Sequence, residues 1–328
     1  MRFLIMAFAV SVAFGQTDRT FQLTQDEDKR ALEEIATVLR ATGDIQQVSI
    51  DDIRRTVTVV GTAGQIAMAD WLVHQMDLPA NGQSPGVHEY RPPAGNDDVV
   101  RIFYLTHAST PQEMQEIATT IRSVANVPRL FIYNALKAVA VRGTGQQILL
   151  AAWLAEQLNQ SANVSAPAPH EYKLPGDDVT RIFELTYPQT PQQLQEIVTL
   201  LRSVGDIPRL FLCNARRAVT LRGTAGQVAL AAWLVTELDK PVTRQVATGD
   251  SGAPHEYRLA SGPDDLVRVF YLAGTQSAQD RQKVVAQVRA TSGIMRLFVY
   301  NALGALAARG TDTQVATAEK VIEEMKTP

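Results

Sequence analysis

Four copies of one pattern of about 60 residues constrain the fold more than any other feature of the sequence. The copies align without a gap when Arg19, Arg101, Arg181 and Arg268 share one position. Each contains a short alternating segment, a helical segment, two more alternating segments and a second helical segment. This order predicts β-α-β-β-α in every copy, and hence an α+β protein of four tandem modules. A module this small has limited stability alone, so we expect neighbouring modules to pack on one another.

An apolar segment precedes the first copy. Residues 1–15 have a basic start at Arg2, an apolar run and small residues before Gln16. This pattern is typical of a secretory signal peptide, with a retained N-terminal anchor as the alternative. The remaining boundaries are module 1 at 16–78, a linker at 79–98, module 2 at 99–160, a linker at 161–178, module 3 at 179–240, a linker at 241–265 and module 4 at 266–328. We therefore expect an exported, periplasmic protein with no membrane span after signal removal.

The charge balance argues against a nucleic-acid partner. The formal net charge is −3 at pH 7, whereas nucleic-acid binding draws on clustered positive charge. The one cysteine, Cys213, has no second cysteine with which to pair inside the chain. Export without disulfides is ordinary for a periplasmic protein that builds apolar cores.

Helix-start signals recur in the modules. Thr110-Pro111 supplies an N-cap and a first-turn proline, and Thr144 of "RGT" predicts the N-cap of the next helix. The "GTAG" at Gly61–Gly64 and Gly223–Gly226 imitates the GxxG loop with which KH domains hold RNA. It follows a strand rather than a helix, which favours a capping role.

Strand side chains alternate between two faces, and the faces differ among the modules. One face carries apolar positions such as Phe21, Phe103, Phe183 and Phe270, which we expect to form each module's core. The opposite face of module 1 is polar, with Thr20, Gln22, Ser49, Asp51, Thr56 and Thr58. In modules 2 to 4 that face carries Tyr104, Phe131, Tyr133, Phe211, Tyr271, Phe298 and Tyr300. An apolar outer face indicates a covering layer, and these seven aromatics are the candidate partner-contact face unless the chain covers them itself.

Tryptophan occupies one position of the second helix in three modules. Trp71, Trp153 and Trp233 correspond to Lys320 in module 4. The helical period places this position opposite the core stripe, so another segment should cover it. A terminal repeat with a charge at such a position behaves as a cap.

The tripeptide His-Glu-Tyr occurs in each of the three linkers, and its members are His88, Glu89, Tyr90, His170, Glu171, Tyr172, His255, Glu256 and Tyr257. Each copy follows a module that has the tryptophan and precedes a module that has the apolar outer face. We interpret it as a structural bracket across the junction, with the segment around "PPAGNDD" forming a hairpin turn. A metal or acid–base site is the alternative, but its ligands would have to converge from three distant linkers. The neighbouring pairs Asp97-Asp98, Asp177-Asp178 and Asp264-Asp265 are predicted to be solvated turn residues rather than calcium ligands.

The succession of strand, helix, strand, turn "N", strand, "RGT" and a helix ending in "WLxxxLD" resembles the periplasmic N-terminal modules of secretins. Those outer-membrane ring proteins serve type II and III secretion and type IV pili. The resemblance implies a KH-like βαββα fold for each module, of the kind that stacks into rings by contacts between subunits. The chain departs from secretins in ending at Pro328, without the long membrane-gate domain, so we expect no pore formed by this chain.

The sequence thus predicts a non-enzymatic scaffold or accessory component of an envelope assembly, with no catalytic residue, metal or cofactor. The expected partner is an envelope or secretion-system protein, or a second copy of the chain. An envelope enzyme or metal-dependent factor using the histidines, and an adaptor that binds peptide strands at sheet edges, are the alternatives.

Overall fold

A computed structural model describes residues 16–25, 28–79, 86–93, 98–160, 170–241, 255–260, 265–272 and 277–326. The predicted signal peptide and at least half of each predicted linker lie outside these residues. Among the described residues, no helix combines the length and apolarity needed to cross a membrane.

The described residues form a mixed α+β protein of four repeated βαββα modules, as predicted. Module 1 comprises β1 (Gln16–Gln22), α1 (Lys29–Ala41), β2 (Gln47–Asp51), β3 (Thr56–Thr62) and α2 (Ala63–Met76). Module 2 comprises β4 (His88–Tyr90), β5 (Asp98–Tyr104), α3 (Pro111–Val124), β6 (Arg129–Tyr133), β7 (Ala138–Thr144) and α4 (Gly145–Leu158). Module 3 comprises β8 (His170–Lys173), β9 (Asp178–Glu184), α5 (Pro191–Ser203), β10 (Arg209–Cys213), β11 (Ala218–Thr224) and α6 (Ala225–Leu238). Module 4 comprises β12 (His255–Arg258), β13 (Leu266–Tyr271), α7 (Ala278–Ser292), β14 (Arg296–Tyr300), β15 (Ala305–Gly310) and α8 (Asp312–Lys326).

The four sheets are antiparallel, and three of them contain a His-Glu-Tyr strand. Sheet 1 has the order β1-β3-β2. Sheets 2, 3 and 4 have the orders β4-β5-β7-β6, β8-β9-β11-β10 and β12-β13-β15-β14. In sheet 2, His88 lies opposite Ile102, Glu89 opposite Arg101 and Tyr90 opposite Val100. The tripeptide therefore joins the sheet of the module that follows it, antiparallel to β5 in sheet 2. The predicted turn around "PPAGNDD" lies mostly outside the described residues.

The helix starts carry the predicted caps. The Thr62 and Thr224 side chains accept from the backbone N–H of Gln65 and Gln227, whose own side chains accept from the cap backbone. Thr110 caps α3, with a proline in the first turn. These threonines satisfy backbone N–H groups that a helix start leaves free, so "GTAG" is a capping sequence in this fold.

The chain divides into two compact units, and the division runs through module 2. The first unit comprises Met1–Ala108 and Val127–Leu149, and the second Ser109–Asn126 and Leu150–Pro328. In the first unit, helices α1 and α2 lie between sheet 1 and sheet 2. One apolar cluster joins the core of module 1, including Leu32 and Ile35, to the outer face of sheet 2, including Tyr133.

The second unit repeats this layering. Helix α3 packs on β10 and β11 of sheet 3, and α5 and α6 lie between sheet 3 and sheet 4. Leu200 and Leu234 are fully buried there, in the same cluster as Tyr300 on the outer face of sheet 4. In both units the helices of one module therefore cover the outer sheet face of the next.

Candidate functional site at the module junctions

The seven outer-face aromatics lie against the helices of the preceding module. Tyr104, Phe131 and Tyr133 belong to the cluster built on α1 and α2, and Tyr271, Phe298 and Tyr300 to the cluster built on α5 and α6. Phe211 is half-buried on β10, the strand that packs on α3. Helices of the chain itself provide the covering layer that the apolar pattern predicts, so the aromatics are not an open surface in this structure.

Each His-Glu-Tyr tyrosine contacts the tryptophan of the preceding module. The ring centroids of Trp71 and Tyr90 are 5.7 Å apart. Those of Trp153 and Tyr172 and those of Trp233 and Tyr257 are each 5.6 Å apart. Tilted pairs at this separation are favourable beyond the apolar area that they bury.

Each histidine of the tripeptide bonds to a side chain near the end of the preceding helix. His88 Nδ1 lies 2.6 Å from Gln75 Oε1, and His170 makes the same contact with Gln157. His255 Nδ1 lies 2.8 Å from Glu237 Oε2. The bond orients each imidazole toward the preceding module, which places the histidines in the junctions.

Two of these histidines also pack on a tyrosine of the outer face. The rings of His88 and Tyr104 are 5.1 Å apart in an edge-on arrangement, as are those of His255 and Tyr271. The Tyr104 hydroxyl donates to the Gln75 carbonyl at 3.0 Å. Burial raises the pKa of Tyr104 to about 12, so the hydroxyl remains a donor at neutral pH.

The glutamates of the tripeptide point to the other face of the sheet. Each glutamate lies opposite an arginine of the neighbouring strand. The distance from the carboxylate oxygen to the guanidinium Nη1 is 3.8 Å for Glu89 and Arg101, 4.0 Å for Glu171 and Arg181, and 3.3 Å for Glu256 and Arg268. These are cross-strand ion pairs within one sheet. Within each tripeptide the histidine and tyrosine therefore contact the preceding module, while the glutamate binds the sheet of the following module.

A second junction contact, which the sequence did not identify in advance, joins a helix glutamate to a turn asparagine. Asn134 donates its backbone N–H and side-chain amide to Glu34 at 2.8 and 2.7 Å. Asn301 binds Glu196 in the same way. At the middle junction Glu116 accepts from the Asn214 side chain and the Ala215 N–H. We call this contact the Glu–Asn clip.

A third repeated contact joins an arginine to the end of the preceding first helix. Arg142 binds the Asp98 carboxylate and donates to the Thr42 carbonyl. Arg222 does so with Asp178 and the Val124 carbonyl, and Arg309 with Asp265 and the Val204 carbonyl. The carbonyls belong to residues at or just beyond the end of a helix, where backbone acceptors lack helical partners. The second aspartate of each Asp pair therefore binds an arginine, which the prediction of a solvated turn residue did not include. Asp177 is exposed as predicted, and Asp97 and Asp264 lie outside the described residues.

The terminal modules lack the junction residues on their outward sides. Module 4 has the exposed Lys283 and Lys320 at the positions of the clip glutamate and the tryptophan. Module 1 has Asp52 and Val60 at the positions of the clip asparagine and the arginine. Each of these junction residues recurs in three modules and is replaced in the terminal one. This pattern is the sequence signal that indicates the contacts.

The tripeptide histidines are held in separate junctions. They lie on strands of three different sheets, and each has a partner in the preceding module. Within the described ranges, no three side chains among His, Cys, Asp and Glu form a group able to hold a metal ion.

Cys213 lies in the middle junction, where it is 1% exposed. Burial, followed by the negative charge of Glu116, raises the pKa of its thiol to about 12. The thiolate is the nucleophilic form of cysteine, so this thiol is held in its unreactive state.

Comparisons with known proteins yield no family. No family model and no curated protein matches the chain. Among solved structures, ExeD from Aeromonas hydrophila matches at 16% identity and a TM-score of 0.17, over 69% of this chain and 41% of ExeD. Dim2p from Pyrococcus horikoshii matches at 15% identity and a TM-score of 0.24, over 44% of this chain and 91% of Dim2p. A protein of unknown function from Aeropyrum pernix matches at 14% identity and a TM-score of 0.23, over 44% of this chain and 82% of that protein.

Proposed function

We propose that the protein is an exported, non-enzymatic scaffold of the cell envelope that holds protein partners along its tandem modules. It would serve as an accessory component of a secretion system or a type IV pilus-like assembly. The observation that carries the proposal is the repetition of one set of contacts at three junctions. A repeated, directional junction holds each module against the next at a set position, as a scaffold requires.

The junction contacts are strong enough to matter for this role. In each Glu–Asn clip a carboxylate accepts two hydrogen bonds, and hydrogen bonds to charged groups contribute about 1.5–3 kcal/mol each. The clip glutamates are partly or fully shielded from water, and Glu116 is 9% exposed. Shielding of this kind strengthens the clip and makes its loss costly, because the donors would remain without partners.

Two surfaces without a junction, the outer face of sheet 1 and the exposed side of α7, are suited to reversible contact with other proteins rather than to further stacking of modules. The outer face of sheet 1 carries exposed Thr20, Gln22 and Ser49. On α7, exposed Gln287 occupies the position of the buried Val38, Thr120 and Leu200. Polar surfaces of this kind favour partners that bind through hydrogen bonds and charge.

The test is photo-crosslinking in the native envelope. A photoreactive amino acid replaces Gln22 in module 1 or Gln287 in module 4 of the whole chain. The expected results are export with removal of residues 1–15 and cross-links from these sites to an envelope protein.

A matched pair of variants tests whether the module succession matters. Tyr257→Ala, which removes the ring contact with Trp233, should weaken cross-linking from Gln287 and leave that from Gln22 in place. Tyr257→Phe keeps the ring, and cross-linking from Gln287 and from Gln22 should both be unchanged. Retention in the cytoplasm, or the lack of any cross-link to an envelope protein, would contradict the proposal.

A further inference from the structure

Sheet 1 differs from the other three sheets at one edge. In sheets 2, 3 and 4 a His-Glu-Tyr strand pairs with β5, β9 or β13. In the part of the chain that the structure describes, no strand pairs with the corresponding edge of β1. Asp18, Arg19 and Thr20 hold the positions that Val100, Arg101 and Ile102 use to bind the tripeptide in sheet 2. Among the described residues, the edge position that a His-Glu-Tyr strand fills in sheets 2, 3 and 4 is therefore unfilled in sheet 1.

Every module has an arginine on its first core strand at the position that faces the tripeptide glutamate. Arg101, Arg181 and Arg268 lie opposite the tripeptide glutamates, and their side chains are 18, 24 and 17% exposed. Arg19 holds the same position, and its side chain is 51% exposed. The residue that receives a strand glutamate elsewhere is therefore present in module 1 and accessible.

The present partner of Arg19 leaves room for such a glutamate. Arg19 contacts Asp70 on α2 at 2.6 Å. In module 4 the corresponding helix residue, Glu319, binds Arg268 while Glu256 of the strand lies 3.3 Å from the same guanidinium. A guanidinium has five donors in a planar fork, so it accommodates a helix carboxylate and a strand carboxylate together.

We infer that the open edge of β1 binds an extended segment of a protein partner, antiparallel to β1, with a glutamate opposite Arg19. This inference rests on the proposed function and names the kind of segment that a partner would present. Main-chain hydrogen bonds to the edge supply affinity, and the glutamate fixes the register. In sheet 2 the strand tyrosine, Tyr90, lies opposite Val100 and contacts Trp71 of the preceding module. The position of Val100 is held in β1 by the exposed Asp18, so an aromatic side chain is not required of the bound segment.

The experiment uses a labelled peptide and the whole chain purified from expressing cells. The probe is a fluorescein-labelled peptide with the chain's own sequence 253–260, APHEYRLA. Fluorescence polarisation measures its binding, and hydrogen exchange followed by mass spectrometry locates it. The expected result is saturable binding with slower exchange of β1 amides, while exchange of β2, at the other edge of sheet 1, is unchanged.

Two variants separate the strand contact from the existing ion pair. Arg19→Gln and Asp70→Asn both break the Arg19–Asp70 pair, but only the first removes the group that faces the edge. Arg19→Gln should weaken probe binding about two- to fivefold, as expected for a partly exposed ion pair, and Asp70→Asn should not weaken it. A probe with glutamine in place of its glutamate should show the same loss on the wild-type chain and no further loss on Arg19→Gln.

Several outcomes would overturn the inference. These are no saturable binding, protection at β2 or another sheet instead of β1, and equal binding by the wild-type and Arg19→Gln chains. A dimer seen by sedimentation that itself protects β1 would show that a second copy takes the edge. Envelope cross-links without probe binding would defeat this inference alone, whereas probe binding by a chain retained in the cytoplasm would defeat only the proposed function.

Discussion

Asn301 donates its backbone N–H and its side-chain amide to Glu196, which lies 105 positions earlier on α5. The distances are 2.8 and 2.9 Å, and one carboxylate thereby accepts from both the backbone and the side chain of Asn301, the first residue of the turn between β14 and β15. Because the same clip joins Glu34 to Asn134, it belongs to the junction itself rather than to one pair of modules. It ties the hairpin of one module to the first helix of the module before it.

Replacing Glu196 with alanine should therefore destabilise the last junction. The turn N–H and the Asn301 amide would lose their acceptor in a half-buried site, which costs about 1–3 kcal/mol of unfolding free energy. Urea unfolding followed by tryptophan fluorescence measures this loss. Gln195→Ala, at an exposed position on the same helix, is the control and should change stability by less than about 0.5 kcal/mol. Equal effects of the two changes would show that the clip contributes nothing.

Much of the fold follows from local sequence patterns. Alternation placed Phe21 and Phe103 on the core face, and Thr110-Pro111 marked the start of α3. The apolar outer face of modules 2 to 4 indicated a covering layer. Each of these signals depends on residues that are close in sequence, because the repeat of apolar side chains along a helix or strand extends over only a few residues.

The identity of the covering layer did not follow from these patterns. Glu34 and Asn134 are polar and lie 100 positions apart, so no hydrophobic period connects them. The covering helices turned out to be those of the preceding module, which removed the seven outer aromatics from the available surface. The sequence indicates which helices form the covering layer only when equivalent positions of the modules are compared. One such position has Glu34, Glu116 and Glu196 in modules 1 to 3 and Lys283 in module 4.

The ring pairs at the junctions give a second prediction. Tyr257→Ala should lower the unfolding free energy by about 2 kcal/mol, because it removes a half-buried ring and its contact with Trp233. Tyr257→Phe keeps the ring and should stay within about 0.5 kcal/mol of the wild type. Thermal unfolding of the two variants measures the difference. Equal melting temperatures for the alanine and phenylalanine variants would refute a stabilising role for the ring.

Cys213 should resist alkylation in the folded protein. The thiol is buried and its pKa is raised to about 12, so little thiolate is present or accessible at pH 8. Mass spectrometry after iodoacetamide treatment should find Cys213 unmodified in buffer and fully modified in urea. Gln287→Cys supplies an exposed thiol on α7 as the control, and this thiol should react in buffer. Rapid modification of Cys213 itself would place it at an open surface.

Stability should fall as the pH rises above about 9. The pKa of Cys213 and those of Tyr104 and Tyr300 are raised to about 12 in the folded chain, chiefly by burial. The unfolded chain then loses protons that the folded chain retains, so the slope of unfolding free energy against pH is negative, at most about 1.4 kcal/mol per pH unit for each group. Tyr104→Phe removes one of these groups, and urea unfolding between pH 9 and 12 should give a shallower slope. An unchanged slope would contradict the burial effect at Tyr104.

The tripeptide histidines give the last prediction, which separates the scaffold from a metal-dependent protein. His88 and His170 each bond to a glutamine amide, and His255 bonds to the Glu237 carboxylate, so each ring is already oriented by its own junction. EDTA should therefore leave the melting temperature unchanged, and elemental analysis of the purified protein should find no stoichiometric zinc. Replacing His88, His170 and His255 together by glutamine should lower the melting temperature equally with and without EDTA, because the loss is one of junction contacts. Stoichiometric zinc that disappears in this variant would instead assign the three histidines to a metal site.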